Sequence, residues 1–157
     1  MAEAPIDQQP QVDFQIHKIF TKDISFESPD APEVFKGEWK PESNVELNTN
    51  TQKLQENTYE VELSLTVTTK SADKTAFLVE VKQSGIFAIS GIADNEMGPI
   101  LGSYCPNVLF PYAREAIASL VSRGGFPELN LAPVNFDAIY AQKMQQEQNQ
   151  AASTDQK

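Results

Sequence analysis

The first long stretch after residue 11 alternates apolar and polar side chains. Phe14, Ile16, Phe20, Ile24 and Phe26 share one parity; Asp13, Gln15, His17, Thr21, Asp23, Ser25 and Glu27 share the other, and only Ile19 breaks the rule. A period of two with one polar side predicts a half-buried antiparallel strand. Residues 58–69 alternate in the same way, with Tyr59, Val61, Leu63, Leu65 and Val67 against Glu60, Glu62, Ser64, Thr66 and Thr68. Ser71-Ala-Asp-Lys74 reads as a hairpin turn. A further strand follows from Thr75 to about Gln83, with Phe77, Val79 and Val81 opposite Leu78, Glu80 and Lys82. Residues 85–92 continue it, bracketed by Gly85 and Gly91, which suit a bend or bulge. Between the first strand and residue 58, Pro29 and Pro32 break the pattern, and Phe35 and Trp39 stand in a crossover segment rich in Pro and Gly. A short second strand is expected at residues 44–48, carrying Val45 and Leu47. The polar run 49–57 reads as a turn or loop.

Beyond residue 92 the period changes. Residues 93–102 read as a link. Pro106 and Pro111 lack a backbone N–H, so both are expected in a loop or a first helical turn. From Pro111 onward, Ala113, Ala116, Ile117, Leu120 and Val121 fall on one side of a 3.6-residue period. Arg123 suits the negative end of that helix, and Gly124 and Gly125 suit its termination. Residues 126–133 carry Phe126, Leu129 and Leu131 without helical spacing, held open by Pro127 and Pro133. An apolar loop of this kind either packs on the core or lines a site, because ordinary loops run over the surface. Asn135 caps a last helix with Asp137 in its first turn and an apolar stripe of Phe136, Ile139, Tyr140 and Met144. Strands followed by helices make an α+β pattern: a four-stranded antiparallel sheet with two main helices packed on one face. Residues 1–11 read as a flexible lead-in, 12–148 as a single domain, and 149–157 as a flexible, polar tail.

Composition narrows the function classes. A chain of 157 residues favours one domain, and a domain of that size buries roughly 68–70% of its unfolded surface without staples. A single cysteine excludes an internal disulfide. The 22 acidic and 12 basic residues give a net charge of -10, which argues against nucleic acid and anionic membranes as partners. The charge fits a basic partner or plain solubility. The opening MAEAPIDQQPQV has neither the basic region nor the apolar run of a signal peptide. No apolar run approaches the ~20 residues that span a bilayer, so the expected location is cytoplasmic, without membrane insertion.

Candidate chemistry is sparse. Cys105 and His17 are the only nucleophile and base of their kind, far apart in sequence and with no evident third group to orient the histidine. One His and one Cys do not make a metal set. No glycine-rich phosphate loop precedes a helix. No catalytic residue, metal or cofactor is therefore expected. Two features remain. The acidic residues Asp23, Glu27, Glu60, Glu62 and Glu80 lie on the polar side of three strands, as a solvated face or as a docking surface for a basic partner. Phe35, Trp39, Phe126, Phe110 and Tyr112 stand outside regular alternation. They either cover the core or border a groove for apolar ligand segments. An exposed ion pair contributes roughly 0.2–1 kcal/mol, whereas a well-buried large apolar side chain contributes about 1.5–3 kcal/mol. The aromatic set is thus strong enough to hold a ligand, while the acidic face steers and selects, less so as salt rises.

The segments YCPNVLFPYARE and VSRGGFPELNLAPVNFDA, with FTKDISFESPDAP and GIFAISGI upstream, closely resemble the protein-export chaperone family SecB over roughly residues 12–145. The resemblance implies a cytoplasmic tetramer, a dimer of dimers, that holds precursor proteins unfolded without using ATP and passes them to the SecA translocation ATPase. It implies a four-stranded sheet with helices on one side. It places the crossover at residues 29–41 and the loop at 125–133 beside a peptide groove, with Phe35, Trp39, Phe126, Leu129 and Leu131 as groove residues. It assigns SecA binding to Asp23, Glu27, Leu78 and Glu80, and gives any zinc to the short basic tail of SecA. Phe77, Val79, Val81 and Gln83 match positions tied to assembly or precursor handling and read as structural, and residues 111–122 match the tetramer contact. The tail lacks the acidic clusters of some members. Two alternatives stand beside this reading. One is a small-molecule or lipid carrier with a pocket between sheet and helices; the other is an enzyme built on Cys105 and His17.

Overall fold

The computed structural model describes residues 11–154. Four strands, β1 (Asp13–Glu27), β2 (Pro41–Gln55), β3 (Thr58–Ser71) and β4 (Lys74–Ser90), form one antiparallel sheet in the order β1-β4-β3-β2. A 3-10 turn, Glu33–Phe35, lies in the crossover from β1 to β2. Helix α1 (Asp94–Pro99), a π-helical segment (Ile100–Tyr104) and α2 (Cys105–Arg123) follow without a break, and α3 (Phe136–Thr154) ends the described chain.

The central strands β3 and β4 carry the core. Val61, Leu63, Leu65 and Val67 on β3 and Phe77, Val79, Val81, Phe87 and Ile89 on β4 are buried on one face. Helix α2 packs on β4 and β3 through every fourth residue: Cys105, Leu109, Ala113, Ile117 and Val121 are all fully buried. That spacing keeps one stripe of the helix on the sheet. The hairpin between β3 and β4 turns at Ala72 and Asp73, both with positive φ (51° and 65°). Such a two-residue turn matches the twist of the strands it joins.

Several expectations need correction. β1 does not keep a single parity. Its pairing with β4 shifts between Ile16 and Lys18 and again between Thr21 and Asp23. Each shift inserts an extra residue and swaps the sides. Ile19, the apparent exception to the alternation, therefore packs on the core. Thr21 faces the helices, where its hydroxyl donates to the buried Gln83 Oε1 at 3.0 Å, and Phe20 falls on the opposite face. β2 is far longer than residues 44–48. The run expected as a loop at 49–57 is mostly strand, since Thr49 pairs with Leu63 and Thr51 with Val61, and only Glu56 and Asn57 turn. Pairing to a well-formed neighbour overrides weak strand propensity, and an edge strand tolerates polar side chains.

Residues 94–104 are helical rather than a link, anchored by Met97, Ile100 and Leu101 packed against the core. The wide π turn falls just ahead of Pro106, whose ring crowds the carbonyl four residues back. Pro106 sits in the first turn of α2 as expected, but Pro111 lies inside the helix. The carbonyl it leaves without a donor belongs to Asn107, which is exposed, so water can satisfy it. Gly85 does not bulge β4; it pairs with Ile19 and Val61 in an unbroken stretch of strand. A Cβ there would come within 2.7 Å of the Phe87 ring and 3.1 Å of Leu109, so the glycine is a packing requirement. Finally, α3 runs through Thr154, into the stretch after residue 148. Its last turns are rich in Gln, Glu and Ala, which form helix readily. The lead-in 1–10 and residues 155–157 lie outside the described residues.

Candidate functional site

The apolar loop starts from a well-defined helix end. Gly125 takes φ +90°, its N–H donates to Ser122 O at 3.1 Å, and Phe126 N–H donates to Val121 O at 3.2 Å. This pair of bonds satisfies the last carbonyls of α2 and turns the chain back on itself. The residue after the turn points inward, and Phe126 is only 6% exposed.

Phe126 is the hub of an aromatic cluster that runs from core to surface. Its ring centroid lies 5.0 Å from Phe77, 6.4 Å from Phe26, 5.1 Å from Phe35 and 5.5 Å from Trp39. Phe77 is core, Trp39 is half-buried and Phe35 is 51% exposed. The crossover and the inter-helix loop therefore meet, and Phe35, Trp39 and Phe126 come together as the sequence reading expects. Leu129 and Leu131 pack on the core as half-buried residues of the same loop. Of the other two aromatics, Phe110 is buried against Phe136, a core role, while Tyr112 is half exposed on α2, away from the cluster.

A concave surface lies between β2, the α1–π helix and α3. It is a cavity of about 400 Å³ whose lining includes Thr49, Thr51, Leu101, Tyr140 and Met144. Tyr140 holds α3 there. A Cβ at Gly98 or Gly102 would overlap its hydroxyl or ring at 2.4 Å, so the two glycines form the notch that receives it. The cap bond from Ala138 N–H to Asn135 Oδ1 (3.0 Å) and the hydrogen bond from Ser103 Oγ to Asp137 fix the start of the helix. This notch was invisible in sequence because its residues lay in the presumed link.

The opposite face of the sheet carries the acidic residues. Glu27 sits directly across from Leu78, and Ser25, between Asp23 and Glu27, sits across from Glu80. Asp23, Glu27, Leu78 and Glu80 thus form one patch, with the two β1 residues exposed and the two β4 residues half-buried. Glu60 and Glu62 lie farther along β3, and both are taken up by Lys22, whose Nζ is 2.7 Å from Glu60 and 3.3 Å from Glu62. These carboxylates raise the Lys22 pKa above its ordinary value by accepting its hydrogen bonds. Sequence reasoning missed Lys22 because single-parity counting left it on the apolar side; Ile19 breaking the alternation was the available signal of a bulge.

Cys105 and His17 form no catalytic arrangement. The thiol is fully buried, and burial pushes its pKa up to about 12, so the reactive thiolate is scarce at neutral pH. His17 is exposed on edge strand β1. Among the described residues no group of three or more His, Cys, Asp and Glu is placed to hold a metal ion, and no helix is long and apolar enough to cross a membrane.

Comparison with known proteins agrees with this architecture. Residues 7–147 match the family described as preprotein translocase subunit SecB. Protein-export protein SecB of Methylococcus capsulatus is 55% identical over 145 residues, covering 92% of this chain and 94% of that protein. Its counterpart in Nitrosococcus oceani is 54% identical over 160 residues, covering 98% of each. A SecB-like chaperone of Mycobacterium tuberculosis, solved in complex with a ChAD peptide from an antitoxin, shares the fold. It has a TM-score of 0.64 at 16% identity and covers 77% of this chain and 90% of its own. With a family match over most of its length and relatives above half identity, this chain belongs to the SecB family.

Proposed function

We propose that the protein is a chaperone for protein export that holds non-native precursor chains in a translocation-competent state and delivers them to SecA. The observation that carries this reading is the aromatic cluster at the meeting of the two proline-rich loops. Phe126 forms its floor, while Trp39 and Phe35 rise from it toward solvent, half-buried and half-exposed. Extended apolar segments of an unfolded chain fit such a surface, whereas a folded protein keeps those segments hidden. Leu129 and Leu131 extend the groove. The names of the relatives, protein-export proteins, support the same assignment.

SecA docks, in this reading, on the patch formed by Asp23, Glu27, Leu78 and Glu80, with carboxylates steering a basic segment and Leu78 giving it an apolar contact. The protein works in the cytoplasm as a dimer of dimers. Tyr104, at the end of the π segment, and Tyr112 on α2, 54% and 51% exposed, supply apolar surface for the contact between subunits. Several grooves on one tetramer then engage one mobile client, and avidity replaces a single tight site. Neither nucleotide nor metal takes part in holding the client. The carrier alternative puts its ligand between sheet and helix, where Leu65, Val81, Leu109 and Ile117 already belong to one packed core.

The test is a titration of one labelled precursor, unfolded and pre-folded, followed by fluorescence anisotropy without nucleotide. Binding of the unfolded form alone is expected. Equal binding of both forms, or of neither, would overturn the assignment.

A further inference from the structure

We propose that Lys22 is a built-in counter-ion that divides the outer face of the sheet into an open and an occupied acidic half, and so sets where a basic partner segment docks. The inference rests on the reading of that face as a docking surface.

Three observations carry it. The pairing of β1 with β4 shifts between Thr21 and Asp23, which leaves Lys22 as the extra residue of a bulge. A bulge re-aims a side chain that a regular strand would send elsewhere. From there Lys22 reaches past β4, the strand between β1 and β3, to bond both Glu60 and Glu62. The second observation is how far these carboxylates are withdrawn: their side chains are only 13% and 16% exposed. The third lies between the same strands. Ser84, opposite Phe20 on one side and Glu62 on the other, is fully buried with an unpartnered hydroxyl. In this half the carboxylates are withdrawn and share one lysine.

The other half is more open, with Lys82 directly across from Asp23. Asp23 and Glu27 are exposed, and neither they nor Glu80 makes an ion pair among the described residues. A lysine- or arginine-rich segment meets free carboxylates there and meets the Lys22 ammonium if it slides toward Glu60 and Glu62. Like-charge contact is a common way to exclude a wrong register. Lys22 is a specificity-determining residue in this scheme.

The experiment titrates the full chain with a labelled oligolysine peptide at low salt and follows anisotropy. Lys22→Gln should bind about two- to five-fold tighter, because two carboxylates become available, each with the modest strength of an exposed pair. Lys143→Gln removes an exposed lysine of α3, away from this face, that makes no ion pair among the described residues; its gain should be smaller. The triple variant Lys22→Gln/Glu60→Gln/Glu62→Gln should lose the gain. A Lys22→Gln gain that is absent, that equals the Lys143→Gln gain, or that survives in the triple variant overturns the proposal. Glu80→Gln separates the underlying reading: wild-type peptide binding in that variant would remove the docking face itself. Lys22 is exposed, so thermal melting should show all these variants folded.

Discussion

Replacing Trp39 by alanine separates a ligand groove from a mere cover over the core. A buried aromatic side chain covers roughly 150–250 Å². Trp39 is partly buried, with most of its surface withdrawn from water, so at ~25 cal/mol per Å² its truncation costs about 2–5 kcal/mol of stability. A domain stable by roughly 5–15 kcal/mol survives that loss. The exposed part of the ring is what a client would cover, and its removal should weaken binding of an unfolded precursor by about tenfold or more, each tenfold being about 1.4 kcal/mol. Phe126→Ala is a poorer probe. Its ring is only 6% exposed and touches Phe26, Phe35, Trp39 and Phe77, so emptying the site should cost about 3–5 kcal/mol and disturb fold and groove together. Anisotropy with a labelled unfolded precursor, run beside thermal melting and a measurement of oligomer size, reads both effects. A lowered melting temperature with unchanged client affinity would refute the groove and leave Trp39 as core cover.

Other outcomes are equally specific. Glu80→Lys should weaken SecA binding severalfold while sparing clients, as surface plasmon resonance against each partner would show; equal losses would point to a damaged fold. Gly102→Ala should push the Tyr140 ring out of its notch and destabilise the protein by about 1–3 kcal/mol in chemical denaturation, because a Cβ there would sit 2.4 Å from that ring. Cys105 should resist alkylation in the native state at pH 7 and react on unfolding, and client binding should be unaffected by the reagent; rapid native labelling would contradict its burial. The same thiol bears on alkaline stability. Its folded pKa of about 12 lies above the ordinary 9.0, so the unfolded chain releases the proton first. Its contribution is present below about pH 9 and is lost as pH rises toward about 12, and Cys105→Ala should flatten that part of the melting curve.

Periodicity carried most of the fold. The alternation in β3 and β4 announces two strands buried on one face, and the 3.6-residue stripe with Arg123, Gly124 and Gly125 marks both the buried side and the end of α2. Such patterns are legible because they record which residues must leave water, a local property of each segment. The groove residues were legible in part, since prolines hold Phe126, Leu129 and Leu131 out of any helix; that Phe126 joins Phe35 and Trp39 was an expectation from family resemblance. What the sequence concealed depends on neighbours distant along the chain. β2 persists through its polar half because β3 supplies the pairing, and residues 94–104 are helical because Met97, Ile100 and Leu101 find the core. The bulges of β1 exist only relative to β4, yet they turn Ile19 and Thr21 inward and send Lys22 to Glu60 and Glu62. Hydrophobic pattern thus determined the elements and the buried face. Only the tertiary structure decided register, because pairing geometry belongs to two strands at once and cannot be read from either alone.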